Sequence, residues 1–533
     1  MTTPFDDSDP AQPSSIDTAV GLWDGRERGA CGIGFVADLQ RRPGRRVLDL
    51  ALEALTNLAH RGGIAADGLT SDGTGLTTCI PWALLRRELA DGGAESIVER
   101  DDADLALGML FVPRGADDAG HRLVDEAFAA SGLSILARRA VPIERGVLGE
   151  QALASLPAIW QIVVERPADV ERGAAFERRL YLARKRLERQ ARRAVANPAD
   201  APIVVSLSHR TVVYKSMAPA TELASFYPDL AAPAYTTPIA LFHQRFSTNT
   251  RPAWHLAQPF RLLAHNGEIN TIQGNREWMS TREPQLSSEL WGGELAEVLP
   301  VLDPRGSDSA MLDQMLEFLV LSGRDPLHAM AMAMPPALDD TVSEDLRAFY
   351  DYHATLLEPW DGPAAVVLTD GRIAAAGLDR NGLRPQRYWR TDDGLVIVGS
   401  EAGMCPLPAS AVVEKGRLGP GQLMAVDLHT GRFLTNAEAK ADLAGRQPWK
   451  TWLDARTIQP PVDAGPASVR TALADLDEVT RQRRQILFGY TKEAIERILD
   501  PMLDGALPVG SMGNDAPLAV LSRQPQLLYS YFK

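Results

Sequence analysis

The first regular pattern in the sequence begins abruptly at Cys31, and it limits how the chain can start its fold. The run CGIGFVADL that starts there alternates around Ile33, Phe35 and Ala37, which predicts a strand. Residues 1–30 are acidic and contain Pro and Ser, and they lack the basic start and apolar core of a secretory signal. We therefore interpret 1–30 as a polar leader and Cys31 as the start of the ordered sequence.

Length, charge and cysteine usage limit the classes of protein to which the chain can belong. Its 533 residues are too many for one ordinary domain. The net charge of −14 argues against nucleic-acid binding, and no apolar run is long enough to cross a bilayer. Cys31, Cys79 and Cys405 form no CxxC pair and no disulfide framework, which indicates a reducing, cytoplasmic compartment. We expect no metal site and neither a nucleic-acid nor a membrane partner.

Hydrophobic periodicity predicts a mixture of helices and strands along the chain. The predicted elements are a helix at 46–59, strands at 203–207, 211–214, 238–246 and 262–264, a helix at 311–321, a hairpin at 364–376 and a strand at 395–398. The basic run at 178–193 predicts a helix with a solvated charged face. The stretch from 85 to 230 is otherwise the least informative.

Cys31 is a candidate nucleophile because of its position. A lone cysteine is usually a buried, inert thiol, and we apply that interpretation to Cys79 and Cys405. If the leader were cleaved before Cys31, this residue would carry a free α-amine with a reference pKa of about 7.7–8.0. The amine could accept the thiol proton without a histidine. This fits the absence of a pattern that would single out one of the nine His as a base.

Four other polar positions match the needs of an amide hydrolase. Asn266-Gly267 offers a side-chain amide and a backbone N–H for an oxyanion, although Asn-Gly could equally form an ordinary turn. A substrate that carries a carboxylate and an ammonium would need an arginine and an acid. Arg61 and Arg245 could bind the carboxylate, or could be surface charges. Asp308 could bind the ammonium, or could be a helix N-cap.

Longer motifs resemble a known family. Cys31-Gly32-Ile33-Gly34-Phe35 resembles the mature N-terminus of class II glutamine amidotransferases, and His60-Arg61-Gly62 resembles their HRG loop. The following segments are similar to the versions in the glutamate synthase family: 243–260, 264–279, 306–319, 358–371 and 378–389. Two loops depart from that family, where SDGTG at 71–75 replaces GDGAG and Ser216 replaces glycine.

The resemblance implies an α+β fold, the four-layer αββα sandwich of N-terminal-nucleophile hydrolases, followed by a partial α/β central domain. It divides the chain into a propeptide at 1–30, an amidotransferase domain at 31–440, a linker at 441–480 and the truncated start of the central domain at 481–533. On this expectation the chain is a fragment or truncation of a longer synthase.

The resemblance also implies a chemistry, which is the hydrolysis of L-glutamine through a γ-glutamyl thioester. The implied roles are a nucleophile (Cys31), an oxyanion hole (Asn266 and Gly267) and substrate-binding residues (Arg61, Arg245, Thr248 and Asp308). We expect no cofactor in this chain, whereas the full-length family enzyme uses FMN and an iron–sulfur cluster. The expected partners are the remaining synthase domains or an electron-donating small subunit. The alternatives are a silent interaction module and a different class II amidotransferase.

Overall fold

The computed structural model describes residues 31–42, 44–91, 97–195, 201–247, 250–458, 476–492, 494–505 and 519–523. The chain divides into two units, Met1–Asp454 and Ala455–Lys533. Among the described residues, we find no helix with the length and apolar character needed to cross a membrane. The predicted leader at 1–30 lies outside the described residues.

The described strands of the first unit form three antiparallel sheets. They are β1 (Gly32–Asp38), β2 (Thr74–Cys79), β3 (Leu105–Val112), β4 (Ser134–Ala140), β5 (Ala158–Glu165), β6 (Ile203–Ser208), β7 (Thr211–Ser216), β8 (Ile239–Gln244), β9 (Leu263–Gly267), β10 (Ala364–Thr369), β11 (Ile373–Leu378), β12 (Arg387–Thr391), β13 (Leu395–Gly399), β14 (Val412–Arg417), β15 (Leu423–Asp427) and β16 (Arg432–Leu434). The sheet orders are β14-β12-β13-β1-β8-β2-β7, β16-β15-β11-β10-β9 and β4-β5-β3-β6. The predicted strands and hairpin are confirmed.

The described α-helices of the first unit lie between and after these strands. They are α1 (Arg46–Asn57), α2 (Trp82–Asp91), α3 (Asp117–Ala129), α4 (Glu150–Ala154), α5 (Ala174–Ala194), α6 (Leu223–Phe226), α7 (Pro228–Ala231), α8 (Ile272–Arg282), α9 (Leu295–Val298), α10 (Asp308–Leu321), α11 (Pro326–Ala333), α12 (Glu344–Ala354), α13 (Asn436–Gly445) and α14 (Trp449–Asp454). The helices predicted at 46–59 and 311–321 correspond to α1 and α10.

The seven-stranded and five-stranded sheets pack face to face. Alternate residues of β1, Ile33 and Phe35, share one apolar cluster with Ala365 and Val367 of β10. Because successive side chains of a strand point to opposite faces, the residues between them face the other way. Both faces of β1 are covered, and all seven of its residues are buried.

Helices cover the outer faces of both sheets. Val36 of β1 shares a cluster with Leu48 and Leu55 of α1, whose apolar residues recur at helical spacing. On the second sheet, Val366 of β10 shares a cluster with Leu312 of α10. The layers are therefore helix, sheet, sheet and helix, and the predicted αββα sandwich is confirmed.

The third sheet accounts for the stretch that was least informative in sequence. It packs against α3 and α5, where Leu110 shares a cluster with Phe128 and Leu180. The solvated face predicted for the basic helix is wrong at Arg184, whose side chain is 3% exposed and donates two hydrogen bonds to Glu317 at 2.9 and 2.6 Å. A buried arginine needs such a bidentate partner, and here it joins α5 to α10.

The first unit continues to Asp454. Trp449 of α14 packs edge-on against His353 of α12, with ring centroids 4.8 Å apart. The boundary predicted at residue 440 therefore lies inside α13. The described residues of the second unit form α15 (Glu478–Leu487), a π-helical turn (Ala494–Leu499), α16 (Asp500–Leu503) and a short 3-10 turn (Ala519–Leu521). The predicted central domain stays a prediction.

Candidate active site

Cys31 lies just before β1, at the end of the interface between the two sheets. It is half-buried and packs against the cluster between the sheets. Its Sγ donates to the Phe246 carbonyl oxygen at 3.6 Å, and the Phe246 backbone N–H donates to Sγ at 3.4 Å. Both contacts come from Phe246, two residues beyond the end of β8, so one peptide segment lies against the thiol.

The surroundings of the Cys31 sulfur act on its acidity in opposite directions. Burial raises the pKa of the Cys31 thiol, since an apolar environment disfavours the thiolate. The Phe246 hydrogen bond and the charges of Arg245 and Arg384 oppose this rise in pKa, and Glu268 adds to it. The thiol therefore needs a base to release its proton, and nearby cations to stabilise the anion.

Arg245 is buried beside this thiol. Its guanidinium donates to the Asp72 carbonyl oxygen at 3.3 Å and to Thr250 Oγ1 at 2.6 Å. Burial lowers the pKa of Arg245, while the negative charges of Cys31, Asp72 and Asp308 raise it. Arg245 is therefore an internal cation rather than the surface charge that was the alternative interpretation.

Arg61 lies in a loop that packs against the end of β8. Its Nε donates to the Glu401 carboxylate, which His60 Nε2 also approaches at 3.0 Å. A Cβ at Gly62 would lie 1.7 Å from Nε2 of the buried Gln244, so a larger residue there would force the Gln244 side chain to move. The loop thus lies directly against β8, which brings Arg61 to the same region as Arg245.

Asp72, to which the sequence patterns assigned no role, fixes the peptide that contacts the thiol. Its Oδ2 accepts from the Ser247 backbone N–H at 2.6 Å, one residue beyond Phe246. A Cβ at Gly63 would lie 2.2 Å from the same Oδ2. Asp72 therefore holds the segment after β8 against the loop that carries Arg61. The sequence signal for Asp72 was its place as an acid inside the glycine-rich loop at 71–75.

Asn266 and Gly267 end β9 as paired strand residues, so the ordinary-turn interpretation is wrong. They pair in register with Ala365 and Ala364 of β10. The Asn266 side chain is 1% exposed, and its Nδ2 has no hydrogen-bond partner in the described structure. A buried amide donor without a partner is costly for a fold, so this group is available for a ligand.

Gly267 has a backbone conformation that excludes other residues. Its φ is +143°, and a Cβ there would lie 1.8 Å from the Pro363 carbonyl oxygen. We expect Gly267→Ala to lower the free energy of unfolding by about 3 kcal/mol or more, measured by urea denaturation. The matched control is Gly274→Ala, since that helical glycine has open space around it and alanine should be neutral or slightly stabilising. Equal stability of the two variants would contradict this prediction.

Asp308 is the first residue of α10, but it is not the cap. Ser307 is the N-cap, and its Oγ accepts from the Ala310 N–H at 3.2 Å. The Asp308 carboxylate instead accepts from the backbone N–H groups of Ile269 at 2.9 Å and Ser309 at 2.7 Å. The carboxylate therefore faces the segment that follows the Asn266-Gly267 pair.

His265 supports this arrangement from within the core. Its Nδ1 lies 2.8 Å from Ser309 Oγ, and its backbone oxygen lies 3.2 Å from His243 Nε2. Burial lowers the pKa of both imidazoles, to about 3 for His243. These histidines are neutral hydrogen-bonding groups at physiological pH.

One predicted site residue, Thr248, remains. Thr248 lies outside the described residues, so its predicted role stays a prediction. In the described part of the chain, no three His, Cys, Asp or Glu side chains cluster as metal ligands would. The region thus combines a thiol, an unpartnered amide donor, a buried cation and a carboxylate. This set suits an amide substrate that also carries a carboxylate and an ammonium.

Comparison with known proteins shows two matches along the chain. A family model described as class II glutamine amidotransferases matches residues 31–452. A second, described as the glutamate synthase central domain, matches residues 483–533.

Curated relatives match nearly the whole chain. A ferredoxin-dependent glutamate synthase of Oryza sativa subsp. japonica is 42% identical over 95% of this chain and 31% of its own length. The glutamate synthase [NADPH] large chain of Azospirillum brasilense is 40% identical over 98% of this chain and 34% of its own. The glutamate synthase [NADPH] large chain of Bacillus subtilis is 40% identical over 95% of this chain and 33% of its own length. The chain thus spans about a third of the length of these relatives.

The likeness to solved structures is more distant. One described as the allosteric regulatory enzyme of purine biosynthesis has 17% identity and a TM-score of 0.28, over 41% of this chain and 38% of that one.

Proposed function

The chain belongs to the class II glutamine amidotransferases, and we propose that it is the glutaminase region of a glutamate synthase, hydrolysing L-glutamine to glutamate and ammonia. One observation carries the proposal. The buried, unpartnered Asn266 amide lies on the strand next to β10, whose residues pack against β1, and Cys31 leads into β1. The similarity to glutamate synthases supports the choice of glutamate synthase over other amidotransferases.

The first step is formation of the nucleophile. Cleavage before Cys31 creates an α-amine, and the family match also begins at residue 31. The amine accepts the thiol proton, and the thiolate attacks the side-chain carbonyl carbon of glutamine. This base is needed because burial raises the pKa of the Cys31 thiol.

The second step is breakdown of the tetrahedral adduct. Asn266 Nδ2 and the Gly267 N–H donate to its oxyanion. As the adduct collapses, the C–N bond breaks, and the leaving nitrogen takes a proton from the α-ammonium of Cys31 and departs as ammonia. Water then attacks the thioester while the α-amine of Cys31 takes one of its protons. The C–S bond breaks, the sulfur regains that proton, and glutamate leaves. Because the α-amine acts as the base and its protonated form acts as the acid, no catalytic histidine is needed.

Charge complementarity orients the substrate. Asp308 receives the α-ammonium of glutamine, and Arg245 receives its α-carboxylate, with Arg61 beside the site. Asp308 and Arg245 interact electrostatically with each other. We propose that the ammonium and carboxylate of the substrate bind to this oppositely charged pair.

The activity of the whole parent enzyme is part of the proposal. Ammonia would pass to 2-oxoglutarate in a second site, with FMN and an iron–sulfur cluster held outside the present chain. The sulfur contacts separate the three cysteines: Cys31 meets Phe246, Cys79 meets Gly371 and Cys405 meets Leu50. The three sulfurs thus have different neighbours. We propose that the cofactors are held by the remaining domains. These domains or an electron-donating small subunit are the proposed partners, in the cytoplasm.

Intact-mass analysis combined with a glutamate-release assay tests the proposal. We expect a mature chain that begins at Cys31 and releases glutamate from L-glutamine. A chain that keeps Met1 and lacks glutaminase activity would favour the interaction-module alternative. The full-length parent is then supplied with 2-oxoglutarate and a reductant. If it hydrolyses glutamine but makes no glutamate from 2-oxoglutarate, a different amidotransferase would be favoured.

Asp308→Asn tests recognition of the ammonium. Loss of the charge should lower kcat/KM for L-glutamine about 10²-fold, because the ammonium would lose its ionic partner. For glutaramate, the analogue without the α-amino group, kcat/KM should change little. Asp303→Asn is the matched control, since Asp303 pairs with Arg305 shortly before the same helix. Equal losses with both substrates would contradict the assigned role.

A further inference from the structure

A rigid segment from Asp379 to Gln386 lies one strand away from the oxyanion pair. Asp379 exchanges two hydrogen bonds with Ala364 of β10, each 3.0 Å long, through its Oδ1 and its backbone N–H. At the other end, Gln386 Nε2 donates to the Val366 carbonyl oxygen at 3.3 Å. Ala364 is the register partner of Gly267. Both ends of the segment are therefore fixed to the strand beside β9.

The middle of this segment is also constrained. The Asn381 N–H donates to Asp379 Oδ2 at 2.8 Å, which closes a tight turn. Gly382 has a φ of +63°, and a Cβ there would lie 2.7 Å from Pro420. The Gly421 N–H donates to the Asp379 carbonyl oxygen at 2.8 Å. The backbone that carries Arg384 is thus held in place without help from the Arg384 side chain.

Within the part of the chain that the structure describes, Arg384 is a cation without a carboxylate partner. Its Nε is buried and lacks a hydrogen-bond partner, and the structure gives its guanidinium no ion pair with a described residue. Arg380, in the same segment, donates to Asp361 at 2.5 Å. The positive charge of Arg384 nevertheless acts on groups of the candidate active site. Burial is the main cause of the pKa shifts of Cys31 and His265, and the Arg384 charge lowers the pKa of both groups.

We propose that Arg384 is a further electrostatic group of the glutaminase site, stabilising the negative charge that develops on the Cys31 sulfur and on the substrate amide oxygen. This inference rests on the proposed function. A cation that is fixed by its backbone and not neutralised is preorganised for charge that appears only during the reaction. Arg245 and Asp308 match the two charges of the amino-acid end of glutamine, which leaves Arg384 for the reacting centre.

The test compares Arg384→Gln and Arg384→Lys with the matched control Arg380→Gln. The rate of Cys31 alkylation by iodoacetamide is measured at a series of pH values, by mass analysis of the peptide that contains Cys31. Glutaminase kcat and KM are measured for the same variants. In Arg384→Gln we expect the alkylation pKa of Cys31 to rise by about one unit, a tenfold loss of thiolate at fixed pH. We also expect kcat to fall about 10–10²-fold with KM nearly unchanged.

The conservative variant and the control make the outcome decisive. Arg384→Lys should recover part of both losses, and Arg380→Gln should match the unmodified protein in both. If the pH dependence of Cys31 alkylation is unchanged in Arg384→Gln, the proposal is overturned. This holds even if KM for glutamine rises. If the unmodified protein has no glutaminase activity, the proposed function fails, and the alkylation profile still decides the role of Arg384. Thermal unfolding of each variant shows whether a loss arises from misfolding.

Discussion

Replacing Cys31 with Ala should abolish glutamate release from L-glutamine, with a loss of about 10⁴-fold or more in kcat. The reason is chemical, because the thioester cannot form without the sulfur, and only binding and oxyanion stabilisation remain. The Sγ contacts with Phe246 are weak, so their loss should cost little stability. The measurement is glutamate release under saturating glutamine, with urea denaturation as the check on folding.

Cys79→Ser is the matched control for this prediction. Cys79 packs against the same cluster between the sheets and is also half-buried. Burial raises the pKa of its thiol to about 11, so it is protonated and unreactive at neutral pH. Its replacement should leave kcat near that of the unmodified protein. Unchanged glutaminase activity in Cys31→Ala would remove the nucleophile from the proposed mechanism.

The parts of the fold that sequence patterns predicted are those with local causes. The alternation in β1 and the helical spacing in α1 follow from which side of each element is buried. The hairpin of β10 and β11 follows from a short turn between two apolar runs. The layer order itself came from the family resemblance, because periodicity identifies elements but does not say how they stack.

The errors arose where distant residues decide the outcome. Arg184 looked solvated, but its partner Glu317 lies 133 residues away in sequence. Asn266-Gly267 carries a turn signal, but β10 pairs with it as a strand. Arg61 meets Glu401, which is 340 residues away, and no local pattern pointed to that carboxylate. Composition and spacing contain no information about such contacts.

The same limit explains which site residues were found from sequence. Cys31, Arg61, Arg245, Asn266, Gly267 and Asp308 came from motifs and from the chemistry of glutamine. Arg384 lies in a recognised motif, but only the structure shows that its Nε has no partner among the described residues, whereas Arg380 is paired. Whether a charge is neutralised depends on three-dimensional neighbours.

Asn266→Ala should lower kcat about 10²–10³-fold while changing KM little. The hydrogen bond from the Asn266 amide to the substrate oxygen is strongest when that oxygen carries negative charge. Loss of the amide therefore mainly destabilises the transition state. Steady-state kinetics with L-glutamine measures both constants. A rise in KM with kcat unchanged would instead make Asn266 a ground-state binding group and contradict its place in the oxyanion hole.

Asn275→Ala is the control that separates catalysis from folding. Asn275 is equally buried, but its Nδ2 donates to the Pro359 carbonyl oxygen at 3.0 Å and its Oδ1 accepts from Thr271 at 2.7 Å. Its truncation therefore removes two hydrogen bonds of the fold and should lower stability by about 1–3 kcal/mol, with kcat retained. Asn266 Nδ2 has no such partner among the described residues. Because the two side chains are chemically identical, opposite effects on kcat and stability would show that the fold keeps the Asn266 amide unpaired for its substrate.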